Sequence, residues 1–265
     1  MQSETIKSRP SKCSGWWYPT AKTPHNFTDN PVSSAVIAPH AGFDFSGMVA
    51  MEAVSYIKKN RVWIFGTSHY ERIKNGISIF RGEYLSSVGK TVFPPELSEH
   101  ELSILEPYFT NEGHRTDEHS IENILYCLNH FIKEVPAFCV LVQETEKNFY
   151  EKIADDIASV WKPDDSILIS TDWNHFVSTG IISQLMTKAK AMLAAGDFET
   201  LYKECIRGNL EACGIDGLYL AGLILRKTGE SAKFSVLVST NSSVITGRKH
   251  DDKCVGYIAA ANNID

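Results

Sequence analysis

The chain has 265 residues, and its 26 lysines and arginines against 32 aspartates and glutamates give a formal net charge of −6. This mildly acidic balance argues against nucleic-acid binding, because phosphate backbones are held by basic surfaces. Hydrophobic residues make up 43% and charged residues 22% of the chain, which excludes wholesale disorder and allows a well-buried core.

The hydrophobic pattern alternates short β-branched or aromatic runs with longer segments of helical period, which is typical of βαβ units and a largely parallel sheet. In chain order, a buried strand over residues 34–38 leads into a helix over 46–58, with Ser46 or Asp44 available to cap it, and a strand over 61–65 completes the first βαβ unit. The later predicted strands cover residues 76–80, the neighbourhood of 91–92, 137–142, 166–171, 233–240 and 254–261. The later predicted helices cover residues 95–106, 119–131, 148–160, 181–194, 198–208 and 214–226.

These elements predict a single-domain α/β/α sandwich over residues 1–265 with a mostly parallel central sheet, since no repeat or long flexible linker divides the chain. No run of about 18 apolar residues predicts a membrane span. Polar residues 1–8 lack the apolar centre of a secretory signal, so we expect a soluble cytoplasmic protein. The six cysteines contain no C-x-x-C pair, so the sequence suggests neither a thiolate zinc site nor a redox pair.

Three adjacent aromatic residues, Trp16, Trp17 and Tyr18, lie in a less regular N-terminal segment. We expect them to dock and to hold this segment against the domain, because aromatic side chains bury a large area. Any one of them could also border a cleft.

Polar side chains follow several predicted strands at the point where each strand ends. In open parallel sheets, ligands bind in the crevice outside the carboxyl ends of the strands, so these side chains stand where chemistry normally occurs. Three strands deliver histidine there, and a fourth could add hydrogen bonds. The residues are His40, His69, Asp172 and His175, with Asn241 and Ser242 from the fourth strand.

Neutral imidazole binds iron, copper or zinc, and two histidines with one carboxylate leave open coordination positions of the kind used by non-haem iron oxygenases. His40 and His69 are the candidate metal ligands, and either Asp172 or Glu118 could supply the carboxylate. His175 is the candidate proton donor and acceptor near neutral pH. The sequence therefore favours a metal-dependent site over a nucleotide site, for which no glycine-rich phosphate motif is present.

Nucleophilic catalysis has weaker support. Ser68 beside His69 lacks the G-x-S-x-G motif of hydrolases. Cys213 stands near a predicted helix start, where the helix dipole could lower the pKa of its thiol, although burial as a small hydrophobic residue is the commoner outcome.

At these motifs the chain resembles the Memo family, the mediators of receptor-driven cell motility and their bacterial and archaeal relatives. The matching stretches lie in family order and cover nearly the whole chain. They are SGWWYP at residues 14–19, IAPHAGF at 37–43 followed by SG at 46–47, GTSH at 66–69, DEHSIE at 117–122, STDWNH at 170–175 and CG at 213–214.

The resemblance implies a fold similar to that of class III extradiol ring-cleavage dioxygenases, with iron or copper as the metal. It assigns metal binding to His40 and His69. It also implies a third, cysteine ligand shortly after the penultimate strand, where this chain offers no thiolate or carboxylate, so the sequence identifies no third protein ligand. The remaining pocket residues that the resemblance and the spacing suggest are Trp17, Glu118, His119, Asp172, His175, Cys213, Asn241 and Ser242.

Three functional hypotheses follow. The first is a metal-dependent oxidoreductase with dioxygenase-like or redox activity on a small-molecule substrate, in which His40 and His69 bind iron or copper and His175 and Asp172 are catalytic. The second is a signalling module that recognises a phosphotyrosine or acidic peptide in the same pocket. The third is a hydrolase that uses Cys213 or a metal-activated water.

Overall fold

The computed structural model of the chain describes residues 8–26, 30, 33–58, 60–85, 91–92, 94–132, 134, 136–248 and 253–264. The strands are β1 (Ser8–Arg9), β2 (Ala35–Ala38), β3 (Arg61–Thr67), β4 (Ile77–Phe80), β5 (Glu83–Leu85), β6 (Thr91–Val92), β7 (Ala137–Val142), β8 (Asp165–Ser170), β9 (Trp173–Val177), β10 (Phe234–Asn241) and β11 (Cys254–Asn262). The helices are α1 (Phe43–Ser55), α2 (Glu99–Leu105), α3 (Glu122–Phe131), α4 (Lys147–Ser159), α5 (Thr179–Ala195), α6 (Phe198–Ile206), α7 (Ile215–Thr228) and α8 (Ser242–Thr246).

The main sheet has the strand order β10-β11-β2-β8-β3-β7-β4, and β9 pairs with β11 beside this path. The four central strands β2, β8, β3 and β7 are mutually parallel, whereas β4, β10 and β11 add antiparallel edges. A small second sheet joins β1, β5 and β6. The prediction of a mostly parallel central sheet is therefore confirmed.

The two faces of the sheet carry separate hydrophobic clusters, because successive side chains of a strand point to opposite faces. In β2, Ile37 packs with the cluster that contains α4, α5, α6 and α7, and its neighbour Val36 packs with α1 and α3 on the other face. The same alternation holds in β3 for Trp63 and Ile64. Helices thus cover both faces, as the α/β/α prediction requires.

Three predicted helix starts lie at least three residues from the observed ones. The first helix begins at Phe43 instead of Ser46, and the Ser46 hydroxyl donates to the carbonyl of Ala41 instead of capping the helix. The second begins at Glu99, because Ser98 and Glu101 form a reciprocal capping box that outweighs the helix-start preference of Pro95. The helix predicted from residue 119 begins at Glu122.

The sequence pattern did not predict β9 or α8, and both stand at the carboxyl edge of the sheet. The chain leaves β8, passes residues 171–172 and continues in the same direction as β9, which pairs antiparallel with β11. No helix within the described ranges is long and apolar enough to cross a membrane. The carboxyl ends of β2, β3 and β8 are neighbours in the sheet, so the loops that follow them meet at one place.

Candidate functional site

Three side chains from distant parts of the chain converge at this edge of the sheet. The potential ligand atoms of His40, His69 and Cys213 all lie within 4.8 Å of one another. His40 Nε2 is 3.3 Å from the Cys213 sulfur. The structure thus brings together the two predicted metal ligands and adds a thiol that the sequence placed only in the pocket.

His40 is buried at the end of β2, and its ring orientation is fixed by Ser170. The Ser170 hydroxyl donates to the carbonyl of Ser120 at 2.6 Å, so it accepts from His40 Nδ1 at 2.7 Å. This leaves Nε2 unprotonated on the side of Cys213. Burial, aided by the neighbouring His69, lowers the pKa of His40 to about 3, so the imidazole is neutral and available as a ligand.

His69 is fixed by Glu118 in a similar way. Its Nδ1 donates to Glu118 Oε1 at 2.9 Å, and its backbone N–H donates to Oε2 at 2.6 Å. Ser120 N–H adds a third bond to this carboxylate at 2.8 Å. Burial works against the charge of Glu118, but the bonds and charge of His69 prevail and lower its pKa to about 2. The second ring nitrogen, Nε2 of His69, is left for a ligand.

Cys213 is placed by a close approach of two backbones. A Cβ atom on Gly214 would lie 2.4 Å from the carbonyl oxygen of Ser170, so only glycine lets this segment pack against the end of β8. The backbone N–H of Asp172 points at the Cys213 sulfur from 3.1 Å. Burial, together with the charge of Asp172, raises the pKa of the free thiol. The helix dipole therefore does not lower the pKa of this thiol, and the alternative of an activated cysteine loses its support.

Asp172 supports the loop that carries His40. Its Oδ1 accepts from the backbone N–H of His40 at 2.9 Å and of Ala41 at 3.4 Å. The carboxylate is buried, and burial raises its pKa. These contacts orient the ligand loop.

His175 stands in β9 and is held by a residue that the sequence analysis did not single out. Its Nδ1 donates to Glu211 Oε1 at 2.8 Å, and its backbone N–H donates to Oε2 at 3.1 Å. Although burial opposes protonation, Glu211 and Asp172 raise the pKa of His175. The charge of His175 in turn lowers the pKa values of His40 and Asp172.

A stack of three rings forms one wall of the site. The His119 ring lies 3.8 Å from Trp17 and 4.5 Å from His69, nearly parallel to both. Burial and the nearby His40 lower the pKa of His119 to about 3. His119 Nδ1 and Trp17 Nε1 are buried without a hydrogen-bond partner among the described residues.

Glu118, Asn241 and Ser242 support the local structure around the site. His69, Glu118 and His119 also lie close enough to share an ion, but the three N–H bonds to Glu118 make this carboxylate a support for His69. Asn241 caps α8 by accepting from Val244 N–H, and the Ser242 hydroxyl accepts from Val255 N–H. Both side chains are therefore engaged in local structure.

Two imidazoles and one thiol fit a transition-metal ion. Nitrogen and sulfur ligands suit iron, copper and zinc, and a bound ion deprotonates the thiol whatever its free pKa. The Nδ1–H of His40 donates to the Ser170 hydroxyl, and that of His69 donates to the Glu118 carboxylate. Such a bond is the usual support of a metal-binding histidine. His40, His69 and Cys213 could therefore hold an ion with open positions for a substrate.

Comparisons with known proteins identify a family and several relatives that this chain resembles. Residues 12–261 match the sequence model of the Memo-like protein family. A MEMO1 family protein from Thermoplasma volcanium is 25% identical over 226 residues, which cover 84% of this chain and 82% of the relative. MEMO1 family proteins from Saccharolobus islandicus and Saccharolobus solfataricus are 27% identical over 236 residues, 84% of this chain and 81% of each relative.

Proposed function

The chain belongs to the Memo-like protein family, and from this premise we propose that it is a metal-dependent oxidoreductase that binds one iron or copper ion through His40, His69 and Cys213. One observation carries the proposal. Ser170 and Glu118 occupy Nδ1 of the two histidines, so that both rings keep Nε2 for the same space, beside the sulfur of Cys213. A hydrogen bond from the other ring nitrogen is the usual support of a metal-binding histidine.

The residues around the ion have separate tasks. The bound ion would supply Lewis-acid and one-electron chemistry. His175 donates from Nδ1 to Glu211, so Nε2 is the ring nitrogen that can take a proton from a substrate and return it. Asp172 keeps the His40 loop in place. Trp17 and His119 restrict water on one side, and their unpartnered nitrogens offer hydrogen bonds to a small-molecule substrate.

Metal titration tests the proposal. Calorimetry of the wild-type protein with Fe(II) or Cu(II) should give about one ion per chain. The double variant H40A/H69A should lose this binding. Cys213→Ser should abolish the thiolate-to-Cu(II) charge-transfer absorption, and Glu118→Gln should weaken affinity by about 10- to 100-fold, because it removes a supporting bond to a ligand.

Matched controls separate these effects from general damage. His100→Ala replaces an exposed histidine of α2, and Cys205→Ser replaces a half-buried cysteine of α6. Both should bind as the wild type does. A wild-type protein that takes up no iron or copper, or a Cys213→Ser variant with an unchanged copper spectrum, would contradict the proposal.

The phosphopeptide-binding alternative has less support from the same geometry. An anionic ligand needs cationic partners, but burial lowers the pKa of His40 and His119 to about 3 and leaves both neutral. Buried carboxylates at Glu118 and Asp172 would repel a phosphate. A cysteine hydrolase is likewise disfavoured, since burial raises the pKa of the Cys213 thiol. Equal binding of a phosphotyrosine peptide and its unphosphorylated control would exclude the first alternative.

A further inference from the structure

A separate cavity of about 200 Å³ lies next to the candidate metal centre and shares Trp17 with it. Its walls include the rings of Trp16, Trp17, Phe43 and Phe45, and the carboxylate of Asp44 stands among them. We call this cavity the aromatic pocket. None of the residues considered for the metal centre other than Trp17 lines it.

The rings of the aromatic pocket are held open toward solvent. Trp16 is 62% exposed and Phe45 is 44% exposed, although aromatic residues normally bury their faces. The Trp16 indole N–H donates to the carbonyl of Lys12 at 3.2 Å, and the ring lies 5.3 Å from Trp17 at 62°. The two indole rings are therefore held edge to face, and the ring of Trp16 remains mostly open to solvent. Gly42 carries no side chain, so the space beside the Phe45 ring, which a Cβ atom would approach to 3.6 Å, stays open.

The charge of the pocket is of one sign. Asp44 is exposed in the first turn of α1, and the residues that line the pocket include no lysine or arginine. The N-terminus of α1 contributes about half a positive charge, which the full negative charge of Asp44 outweighs. The net charge of −6 adds a weak attraction for cations at long range.

We propose that the aromatic pocket binds an alkylated ammonium group. Aromatic faces attract cations through their negative quadrupole, and methyl groups on the nitrogen reduce the hydration that a bare ammonium would lose on entry. The carboxylate of Asp44 completes the recognition at the rim. A purely apolar ligand would make no use of this carboxylate. The proposal is independent of whether the neighbouring centre holds a metal.

A matched pair of ligands tests the role of the charge. Choline and 3,3-dimethyl-1-butanol have nearly the same shape, but the second carries a carbon in place of the charged nitrogen. Titration of the full chain, followed by tryptophan fluorescence and by calorimetry, should show binding of choline at least about tenfold tighter than that of the neutral alcohol, as expected for cation–π attraction. Equal affinities, or no binding of choline, would overturn the proposal.

Two variants locate the site. Trp16→Leu keeps an apolar side chain but removes an exposed ring, and Asp44→Asn removes the carboxylate alone. Each should weaken choline binding by about three- to thirtyfold. Met48→Leu, a change of an exposed α1 residue outside the lining, is the control and should bind as the wild type does. Unchanged binding in Trp16→Leu would place the ligand elsewhere and refute the assignment. Because neither changed residue belongs to the metal centre, metal stoichiometry should stay unchanged.

A third comparison identifies the source of the ammonium group. A peptide with one trimethyl-lysine is titrated beside the same peptide with unmodified lysine. If the methylated peptide binds more tightly than choline and the unmodified one does not, the natural ligand is a methylated protein segment. If choline binds as tightly as the methylated peptide, the ligand is a free small molecule.

Discussion

The hydrogen bonds of the ring nitrogens distinguish His40 and His69 from a structural histidine. His40 and His69 each use Nδ1 for a hydrogen bond that fixes the ring, and their ligand atoms lie near each other and near the Cys213 sulfur. His114 is as buried as His40, but Tyr84 donates to its Nδ1 at 2.5 Å and its Nε2 donates to the carbonyl of Ser78 at 3.1 Å. Both nitrogens of His114 are occupied, so its role is structural.

His114 gives a prediction for pH dependence. Burial lowers its pKa to about 3, whereas an unfolded histidine titrates near its ordinary value of about 6.5. The unfolded chain therefore binds one more proton between these values, and stability that is fully present above about pH 6.5 is lost as the pH falls toward 3. Within that window His114 should contribute about 1.4 kcal/mol per pH unit to the decrease.

Urea denaturation at several pH values measures this contribution. His114→Gln cannot take up the proton, so its free energy of unfolding should depend less steeply on pH between 6.5 and 3, even though the variant is less stable at pH 7. A variant with the same slope as the wild type would show that His114 is protonated in the folded state.

Some residues of the candidate site could be predicted from the sequence, whereas the roles of others could not. His40, His69 and His175 could be predicted because each follows a strand closely in sequence. Cys213 was left in the pocket, since its contact with His40 spans 173 residues and no local pattern reports it. Glu211 was missed entirely, although a carboxylate two residues before a Cys-Gly pair was a signal that could have been weighed.

At the scale of the elements, β9 is a strand that the hydrophobic pattern could not predict. Asn174 and Phe176 have φ angles of +48° and +57°, so the strand that carries His175 departs from regular extended backbone. Such residues break the alternation by which strands are recognised. By contrast, the bounds of β7 could be predicted without error because all six of its residues are buried and no special turn interrupts it.

The left-handed conformation of Phe176 predicts a stabilising substitution. A large residue there costs about 1 kcal/mol, and the ring is 70% exposed, so it gains little from burial. Asparagine tolerates this conformation far better. Phe176→Asn should therefore raise the free energy of unfolding by about 0.5–1 kcal/mol in urea denaturation. Ile181→Asn, a change of another exposed apolar residue on regular helix α5, should give no such gain, and a destabilised Phe176→Asn would mean that the ring is needed where it stands.

At the scale of the whole molecule, the candidate metal ligands and a buried ion network lie at opposite ends of the sheet strands. The ligands follow the carboxyl ends of the strands, whereas Arg61 and Asp165 stand opposite each other at the amino ends of β3 and β8. Arg61 donates twice to Asp165 at 2.6 Å and reaches Glu101 of α2 at 2.5 Å. The βαβ pattern predicts a mostly parallel sheet, but it cannot predict this ion network, which joins residues up to 104 positions apart.

Because the ion network lies far from the candidate metal centre, a substitution in the network should lower the stability of the fold without loss of metal binding. Asp165→Asn keeps the shape of the side chain but leaves the buried guanidinium of Arg61 without its main counter-charge, which should cost about 3 kcal/mol in the free energy of unfolding. Asp164→Asn changes an exposed neighbour and should cost less than about 0.5 kcal/mol. Under conditions in which both variants remain folded, each should bind the same amount of Cu(II) as the wild type. A folded Asp165→Asn protein with impaired copper uptake would show that the two ends of the sheet are coupled, because the change leaves every residue of the candidate centre untouched.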